Sequence, residues 1–243
     1  MLEIKQLAKT FGTIEAIKDV SFTARDGQIT TLLGANGSGK TTTLRCITGL
    51  IKPTHGSVVV DGIEVAKNPL KARKNLGFVA DEFGLYPRLT AREHLVYYAG
   101  FHNLYGDHAA AAAEKTITIL HMEHIADRRT GGFSLGERAK VALARAMVHS
   151  PQNFMLDEPT RGLDVLSIRL LRGLLKELKE EGRTILFSSH VMAEVEALSD
   201  RVVIISGGIV RADGPPGALK EKAKTRTLED AFIKITGYQE KAA

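Results

Sequence analysis

The sequence predicts an α/β fold with a mostly parallel sheet, an antiparallel β portion at the N-terminus and an inserted α-helical subdomain. Three observations lead to this prediction. Short apolar strands fill about the first sixty residues, helical periodicity dominates from about residue 90 to 149, and strands then alternate with helices. Such alternation with apolar strands is typical of a parallel sheet covered by helices. The all-helical stretch is therefore an insertion into this body.

The N-terminal strands are predicted where apolar and β-branched residues come in short runs. These runs are "LEIKQLAKTF", "VSFTAR", "QITTLL" and "GSVVVDG". The helical insertion, residues 85–150, contains "TAREHLVYYAGFH", "AAAAAEKTITILHM" and "SLGERAKVALARAMVHS". We expect the whole chain, residues 1–243, to form one domain.

The last part of the chain alternates strand and helix. "NFMLDEP" precedes the long helix "DVLSIRLLRGLLKELKEEG", and "TILFSSH" precedes "HVMAEVEALSD" and the strand "RVVIISGGIV". In the shorter helix, Val191, Val195 and Leu198 are spaced i, i+4 and i+7, which predicts one buried face.

Composition favours a soluble globular protein, with 44% hydrophobic and 25% charged residues. No apolar stretch approaches the roughly 20 residues of a membrane-spanning helix, and the N-terminus lacks a signal-peptide pattern. We therefore expect a cytoplasmic protein whose membrane contact comes through a partner. The net charge of +5 comes from scattered basic residues, which favour a solvated surface over a nucleic acid partner. The single Cys46 excludes an internal disulfide, and we expect it to be buried.

The segment "GANGSGKT" follows an apolar strand, precedes a helix and matches the P-loop, or Walker A, pattern G-x-x-x-x-G-K-[ST]. Glycines let the backbone wrap around an anion, and the helix N-terminus points its positive end at the same spot. Lys40 supplies charge for the β- and γ-phosphates, and the Thr41 hydroxyl is a Mg²⁺ ligand. The alternative is a flexible loop before a helix. The predicted nucleotide-binding residues are Gly34, Ala35, Asn36, Gly37, Ser38, Gly39, Lys40, Thr41 and Thr42.

Two acidic residues end the apolar run "NFMLDEP". Ligands of open α/β sheets bind at the carboxyl ends of strands, so this end is predicted to lie beside the P-loop. Asp157 would then hold Mg²⁺ through water, and Glu158 would act as general base or orient a water that attacks the γ-phosphate. The alternative is an acidic turn at the end of a strand.

Three further positions are ambiguous when taken alone. Ser134 precedes a helix-forming run and is a predicted N-cap, which is also compatible with anion binding. His190, after an apolar strand, is typical of a structural histidine but favours a γ-phosphate contact beside two carboxylates. Phe11 is a lone aromatic residue of the kind that packs at a core edge. Four more histidines lack the convergent acids or cysteines of a metal site, namely His102, His108, His121 and His124.

Together these motifs resemble the ATP-binding subunits of ABC transporters. "FSLGERAKVALARAM" is similar to the family signature L-S-G-G-Q, matching at Ser134 and Gly136 and departing at Phe133, Leu135 and Glu137. "TRGLD", which ends at Asp164, resembles the loop after the Walker B strand. The resemblance extends in order from Phe11 to His190.

The resemblance implies roles that the residues alone leave open. Phe11 would stack on adenine, and His190 would be the switch histidine. Ser134 and Gly136 would close over ATP bound to a second copy of the chain or a related ATPase subunit. The helical insertion, including "GLYPRLTAREHL", would contact a separate membrane permease. ATP and Mg²⁺ are the implied cofactors, and the protein would be peripheral on the inner face of the cell membrane.

One position departs from the family pattern. The family has a glutamine after its central strand that ligates Mg²⁺ and links it to the helical insertion. In "LGFVADEFGLYPRLT" the matching residue is Asp81, followed by Glu82. Carboxylate oxygen also suits Mg²⁺, so Asp81 joins Thr41 and Asp157 as a candidate metal ligand. The alternative is that Asp81 caps a turn or faces water.

The resulting prediction is an ATP hydrolase that energises a permease, as a homodimer or with a related subunit. The "GLYPRLTAREHL" segment and the "TLEDAFIKITG" tail most resemble bacterial exporter ATPases, with Nat-type sodium export first and drug or polysaccharide export next. One alternative is a soluble ABC ATPase that acts on ribosomes or DNA, although the second cassette or long coiled coil usual there is missing. Another is an interaction module with a dead ATP site, which the intact motif residues argue against.

Overall fold

Ten strands form one sheet in the computed structural model, which describes residues 1–237. The strands are β1 (Leu2–Phe11), β2 (Ile14–Ala24), β3 (Gln28–Leu33), β4 (His55–Val60), β5 (Ile63–Glu64), β6 (Leu76–Val79), β7 (Asn153–Asp157), β8 (Thr184–Ser189), β9 (Arg201–Ser206) and β10 (Ile209–Gly214). The helices are α1 (Lys40–Ile47), α2 (Pro69–Arg73), α3 (Ala91–Gly100), α4 (Gly106–Ile119), α5 (Leu135–Met147), α6 (Val165–Glu180), α7 (Met192–Leu198), α8 (Pro216–Ala223) and α9 (Leu228–Thr236).

The sheet combines the two predicted pairing modes in the order β5-β4-β1-β2-β10-β9-β3-β8-β7-β6. Strands β9, β3, β8, β7 and β6 are parallel neighbours, whereas β1 pairs antiparallel with β2 and β4. This arrangement confirms the predicted fold class. The expectation that "RVVIISGGIV" forms a single strand is wrong. Gly207 and Gly208 adopt φ of 61° and 76°, and this left-handed turn separates β9 from the antiparallel β10.

The parallel strands are buried on both faces. In β7, Phe154 and Leu156 face a core shared with α5 and α6, whereas Met155 between them faces the core shared with α1 and the antiparallel strands. In β8, Leu186 likewise faces the second core. Because successive side chains of a strand point to opposite faces, each apolar strand joins two helix layers through one sheet.

The helices α3, α4 and α5 follow β6 and precede β7 in the chain. Each of the helices α3 and α5 begins with a capping box, in which the N-cap hydroxyl and a glutamate three residues later satisfy each other's backbone amides. The N-cap residues are Thr90 and Ser134, so the predicted cap at Ser134 is confirmed.

Strand register brings the predicted site residues to one edge of the sheet. In β3, Leu33 pairs with Ser189 of β8, and Asp157 of β7 pairs with Ser188. The P-loop follows β3 directly, and His190 follows β8. The carboxyl ends of three adjacent parallel strands therefore meet where ligands of such sheets bind.

Two further expectations can be compared with the structure. Cys46 is fully buried in α1, which confirms the expectation that it is buried, and burial raises the pKa of its thiol to about 11. Within residues 1–237, no helix is both long and apolar enough to cross a membrane.

A stacked histidine pair joins the ends of two helices of the insertion. The rings of His102, after α3, and His149, after α5, lie with centroids 3.4 Å apart and planes 10° apart. The Nε2 of His149 donates to the Leu76 carbonyl at 3.1 Å. Burial lowers the pKa of His149 to about 4 and also lowers the pKa of His102, so both rings are uncharged at neutral pH.

This pair should make the fold sensitive to acid. Because the folded-state pKa of His149 lies below the usual value of about 6.5, the unfolded chain binds more protons between those two pH values. Stability therefore falls as the pH falls through this window. His149→Gln keeps a donor for Leu76 and should show a smaller decrease in Tm between neutral pH and about pH 5 than the wild type. His108→Gln, at an exposed histidine of α4, is the control and should show the same decrease in Tm as the wild type. Equal decreases in all three proteins would contradict the prediction.

Candidate nucleotide-binding and hydrolysis site

The P-loop is shaped by close backbone approaches. Gly39 has φ of 108°, and a Cβ there would lie 2.8 Å from the Ala16 carbonyl oxygen. A Cβ on Gly34 would lie 2.5 Å from the Ile205 carbonyl oxygen. Helix α1 begins at Lys40 without a side-chain cap and without an acidic residue in its first turn. Its first amide groups lack both an intrahelical acceptor and a capping side chain, which is the arrangement that binds phosphate.

The side chain of Lys40 folds back over this loop. Its Nζ donates to the Gly34 carbonyl at 2.8 Å and the Ala35 carbonyl at 3.3 Å, and it lies 3.3 Å from Oε1 of Glu158. The residue is 6% exposed, so its charge is held almost entirely by protein oxygens. A buried ammonium is stable only with such partners.

The residues of the loop fit a bound nucleotide. The Ser38 hydroxyl oxygen is buried and has no hydrogen-bond partner in residues 1–237, which leaves it to be satisfied by a ligand. Thr41 in the first turn of α1 and Asp157 at the end of β7 offer the hydroxyl and carboxylate oxygens that Mg²⁺ takes. The described residues contain no group of three or more acids, histidines or cysteines around a metal position.

Glu158 lies at the centre of the polar contacts. Its Oε1 faces Lys40, and its Oε2 lies 2.9 Å from Nδ1 of His190. Its backbone has φ of 48°, the left-handed region that residues other than glycine rarely adopt. The structure thus brings three predicted residues from three chain segments into direct contact.

Sequence reasoning missed Ser188, which organises the two acidic residues. Its Oγ donates to Oδ1 of Asp157 at 2.6 Å and accepts from the Glu158 amide at 2.9 Å. Ser188 is fully buried in β8. The available signal was the serine pair in "LFSSH", because a fully buried strand holds hydroxyls only where they have partners.

Comparison with known proteins identifies the family. Residues 17–161 match the family described as ABC transporter. The chain is 41% identical over 221 residues to "ABC transporter ATP-binding protein NatA" of Bacillus subtilis, with 90% of each chain covered. The chain belongs to the ABC transporter family. It is also 36% identical over 223 residues to "Bacitracin transport ATP-binding protein BcrA" of Bacillus licheniformis, covering 91% of this chain and 72% of that protein.

A solved structure agrees with this assignment. The chain superposes on the dimeric structure of MJ0796, a bacterial ABC transporter cassette, with a TM-score of 0.81 and 30% identity, covering 88% of this chain and 98% of that one. The same cassette has been solved in a post-hydrolysis state with ADP and Pi, at a TM-score of 0.78 and 28% identity, again covering 88% and 98%. The present protein is an ABC transporter ATP-binding subunit and an ATP hydrolase.

The ABC signature segment lies at the N-terminus of α5, where Ser134 and Glu137 form a capping box. Ser134 Oγ accepts from the Glu137 amide at 3.2 Å, and the Glu137 carboxylate accepts from the Ser134 amide at 2.8 Å. The Ser134 amide and Arg128, 2.7 Å from the carboxylate, lower the pKa of Glu137. The Ser134 hydroxyl accepts one bond here and keeps its hydrogen to donate.

Gly136 packs against the first turn of α6. A Cβ on Gly136 would lie 3.1 Å from Ser167 Oγ, and Asp164 caps α6 by accepting from the Ser167 amide at 2.8 Å. No hydrogen bond or ion pair of the described residues joins Ser134 or Gly136 to the P-loop of the same chain. Their predicted contact with ATP stays a prediction.

Phe11 lies at the tip of the β1–β2 hairpin, where it pairs with Ile14. It is 45% exposed, and Lys9 Nζ lies 4.9 Å from its ring centroid. The same hairpin reaches the P-loop where Ala16 meets Gly39. The ring is therefore not packed in the core, and its predicted stacking on adenine stays a prediction.

Asp81 is paired with a residue that sequence reasoning did not single out. In the register of β6 and β7, Val79 pairs with Leu156, so Asp81 and Glu158 follow their strands at the same level. Nη1 of Arg161 donates to the two carboxylate oxygens of Asp81 at 2.9 and 3.2 Å. Asp81 is exposed and ion-paired, which leaves the alternative that it faces water open, and its predicted role as a Mg²⁺ ligand stays a prediction.

Removing the Ser188 hydroxyl should disturb the acidic pair. Ser188→Ala leaves the partly buried Glu158 amide without an acceptor, and such a loss costs about 1–3 kcal/mol. We expect kcat for ATP to fall about tenfold, with a smaller change in KM. Ser189→Ala is the matched control, because its equally buried hydroxyl accepts from the Val191 amide instead. A steady-state ATPase assay in which both variants lose kcat equally would contradict the assignment.

Proposed function

We propose that the chain hydrolyses ATP in a dimer and thereby drives a separate membrane permease. The observation that carries this proposal is the contact of Glu158 with both Lys40 and His190 at the mouth of an uncapped helix. This arrangement combines a phosphate-binding cation, a carboxylate base and a histidine at one position.

In the proposed reaction, ATP phosphates take over the contacts that Lys40 makes in the free chain. Glu158, released from the ammonium, accepts a proton from the attacking water. The water oxygen bonds to the γ-phosphorus while the bond to the bridging oxygen of ADP breaks. His190 donates to the γ-phosphate as charge develops there. Thr41 and Asp157 would hold Mg²⁺, which when bound neutralises phosphate charge.

A second chain is needed to complete the proposed site. Large apolar side chains stand exposed where α5 and α6 begin, with Leu135 47%, Val165 81% and Leu166 73% exposed. Such a patch beside Gly136 supports burial against another protein. Closure over ATP would expel water and strengthen the phosphate contacts.

The helical insertion offers a surface for the proposed permease. Tyr86, Tyr97 and Phe101 form an exposed aromatic patch, with ring centroids 5.9 Å apart for the first pair and 5.1 Å for the second. Tyr86 and Tyr97 also line a groove with Arg88. Exposed aromatic residues and arginine are enriched at interfaces between proteins. This contact would hold the protein on the inner face of the membrane.

We further propose export as the direction, with sodium or a drug as cargo. The support is the overall likeness to NatA and to a protein named for bacitracin transport. The permease, rather than this chain, would select the cargo. The alternative of action on ribosomes or DNA has less support, because the basic residues are scattered along the sequence.

Glu158→Gln should keep ATP binding and lose turnover by about 100- to 1,000-fold, because it removes a group that acts in the transition state. ATP-bound dimers should accumulate and should sediment with host membranes. Lys40→Ala should instead lose affinity for Mg-ATP in calorimetry. Turnover at the wild-type rate in Glu158→Gln would contradict the assignment of Glu158 as the base. ATP-dependent sedimentation with ribosomes would contradict the proposal that the partner is a membrane permease.

Mixing two inactive variants should restore activity if each site is built from two chains. Lys40→Ala breaks the P-loop and Ser134→Arg blocks the signature, so each homodimer is inactive. A mixed dimer has one site with both lesions and one whole site. Random mixing makes about half of the dimers mixed, so about a quarter of all sites are whole.

Recovered ATPase, with mixed dimers verified by tag pull-down, would support the shared site. If none returns, a wild-type chain tethered to a doubly mutated chain distinguishes the two explanations. Activity of the tethered protein alone would indicate a site within one chain, and inactivity would indicate strict two-site coupling.

A further inference from the structure

The Asp81–Arg161 pair joins two functionally different loops. The entry segment, residues 80–90, runs from β6 to α3 of the helical insertion. The glutamate loop, residues 158–164, runs from the catalytic strand β7 to α6. Within residues 1–237, Arg161 and Asp81 make the one ion pair between these two segments.

Arg161 is also tied to Glu158 through the backbone. Its amide donates to the Glu158 carbonyl at 3.1 Å, which closes a turn directly after the glutamate. Glu158 adopts a left-handed φ of 48° that its side chain disfavours. A disfavoured conformation persists only where surrounding contacts enforce it. Arg161 supplies one such contact through its amide and anchors the turn through its guanidinium.

We propose that Arg161 is a positioning residue for Glu158, and that its ion pair with Asp81 holds the turn that fixes the hydrolytic carboxylate. This inference rests on the proposed role of Glu158 in hydrolysis. It gives Asp81 a function that acts through Arg161 and does not require Asp81 to bind a metal.

The pair is exposed, with the side chain of Asp81 39% and that of Arg161 66% accessible, so its coupling is weak. We expect Arg161→Gln and Asp81→Asn each to lower kcat by about two- to fivefold, while nucleotide KM and Tm stay at wild-type values. The double variant should be no slower than either single variant. The reversed pair, Asp81→Arg with Arg161→Asp, should restore kcat.

Two matched variants control for charge alone. Glu82→Gln removes an exposed acid adjacent to Asp81, and Arg169→Gln removes an exposed arginine on α6; neither makes an ion pair in the described part of the chain. Both should hydrolyse ATP at the wild-type rate. Hydrogen exchange of the backbone amides of Glu158 and of residues 160–163 in the full chain provides a readout that does not need turnover. Exchange there should accelerate in both single variants and return to the wild-type rate in the reversed pair.

Three results would overturn the proposal. Additive losses in the double variant would show that the two residues act independently. Failure of the reversed pair to restore either kcat or amide protection would favour Asp81 acting as a metal ligand, since an arginine there would repel Mg²⁺. Unchanged exchange in Arg161→Gln would show that the turn is held without the pair. A wild-type chain without ATPase activity contradicts the proposed function instead, and the exchange measurement still decides on the pair.

Discussion

The buried ammonium of Lys40 is the constraint on which the site depends. A cation that is 6% exposed needs oxygen partners, and the chain supplies two P-loop carbonyls and the carboxylate of Glu158. These contacts hold the loop in its wrapped form. The same contact occupies Glu158, so in the proposed reaction a nucleotide would satisfy the cation and free the carboxylate for water.

Parallel strand register converts this local contact into a three-segment site. The ends of β3, β7 and β8 are level, and a single hydroxyl, that of Ser188, spans from Asp157 to the Glu158 amide. Neighbouring strands thus set the distance between Asp157 and Glu158, the carboxylates proposed to bind Mg²⁺ and to activate water. Precision here comes from elements that are buried on both faces.

The sequence was sufficient for features that are encoded locally. Three such features are the P-loop, the acidic strand end and the N-cap at Ser134. Each is formed by residues that are adjacent in the chain, in a pattern that usually has a single structural role. Ser188 and Arg161 were missed because their partners lie 31 and 80 residues away. Their importance depends on strand register and loop conformation, which no short window contains. The β9–β10 turn was missed because an apolar run masked two adjacent glycines.

The contact between Gly136 and α6 has an evolutionary consequence. A Cβ at position 136 would already stand 3.1 Å from the Ser167 hydroxyl, so the signature helix and the helix after the glutamate loop share one small volume. Alanine at 136 would require the Ser167 side chain to shift by a few tenths of an ångström, and a larger residue at 167 would have less room to do so. Substitutions at the two positions therefore affect each other. Related cassettes should therefore vary at 136 and 167 as a correlated pair.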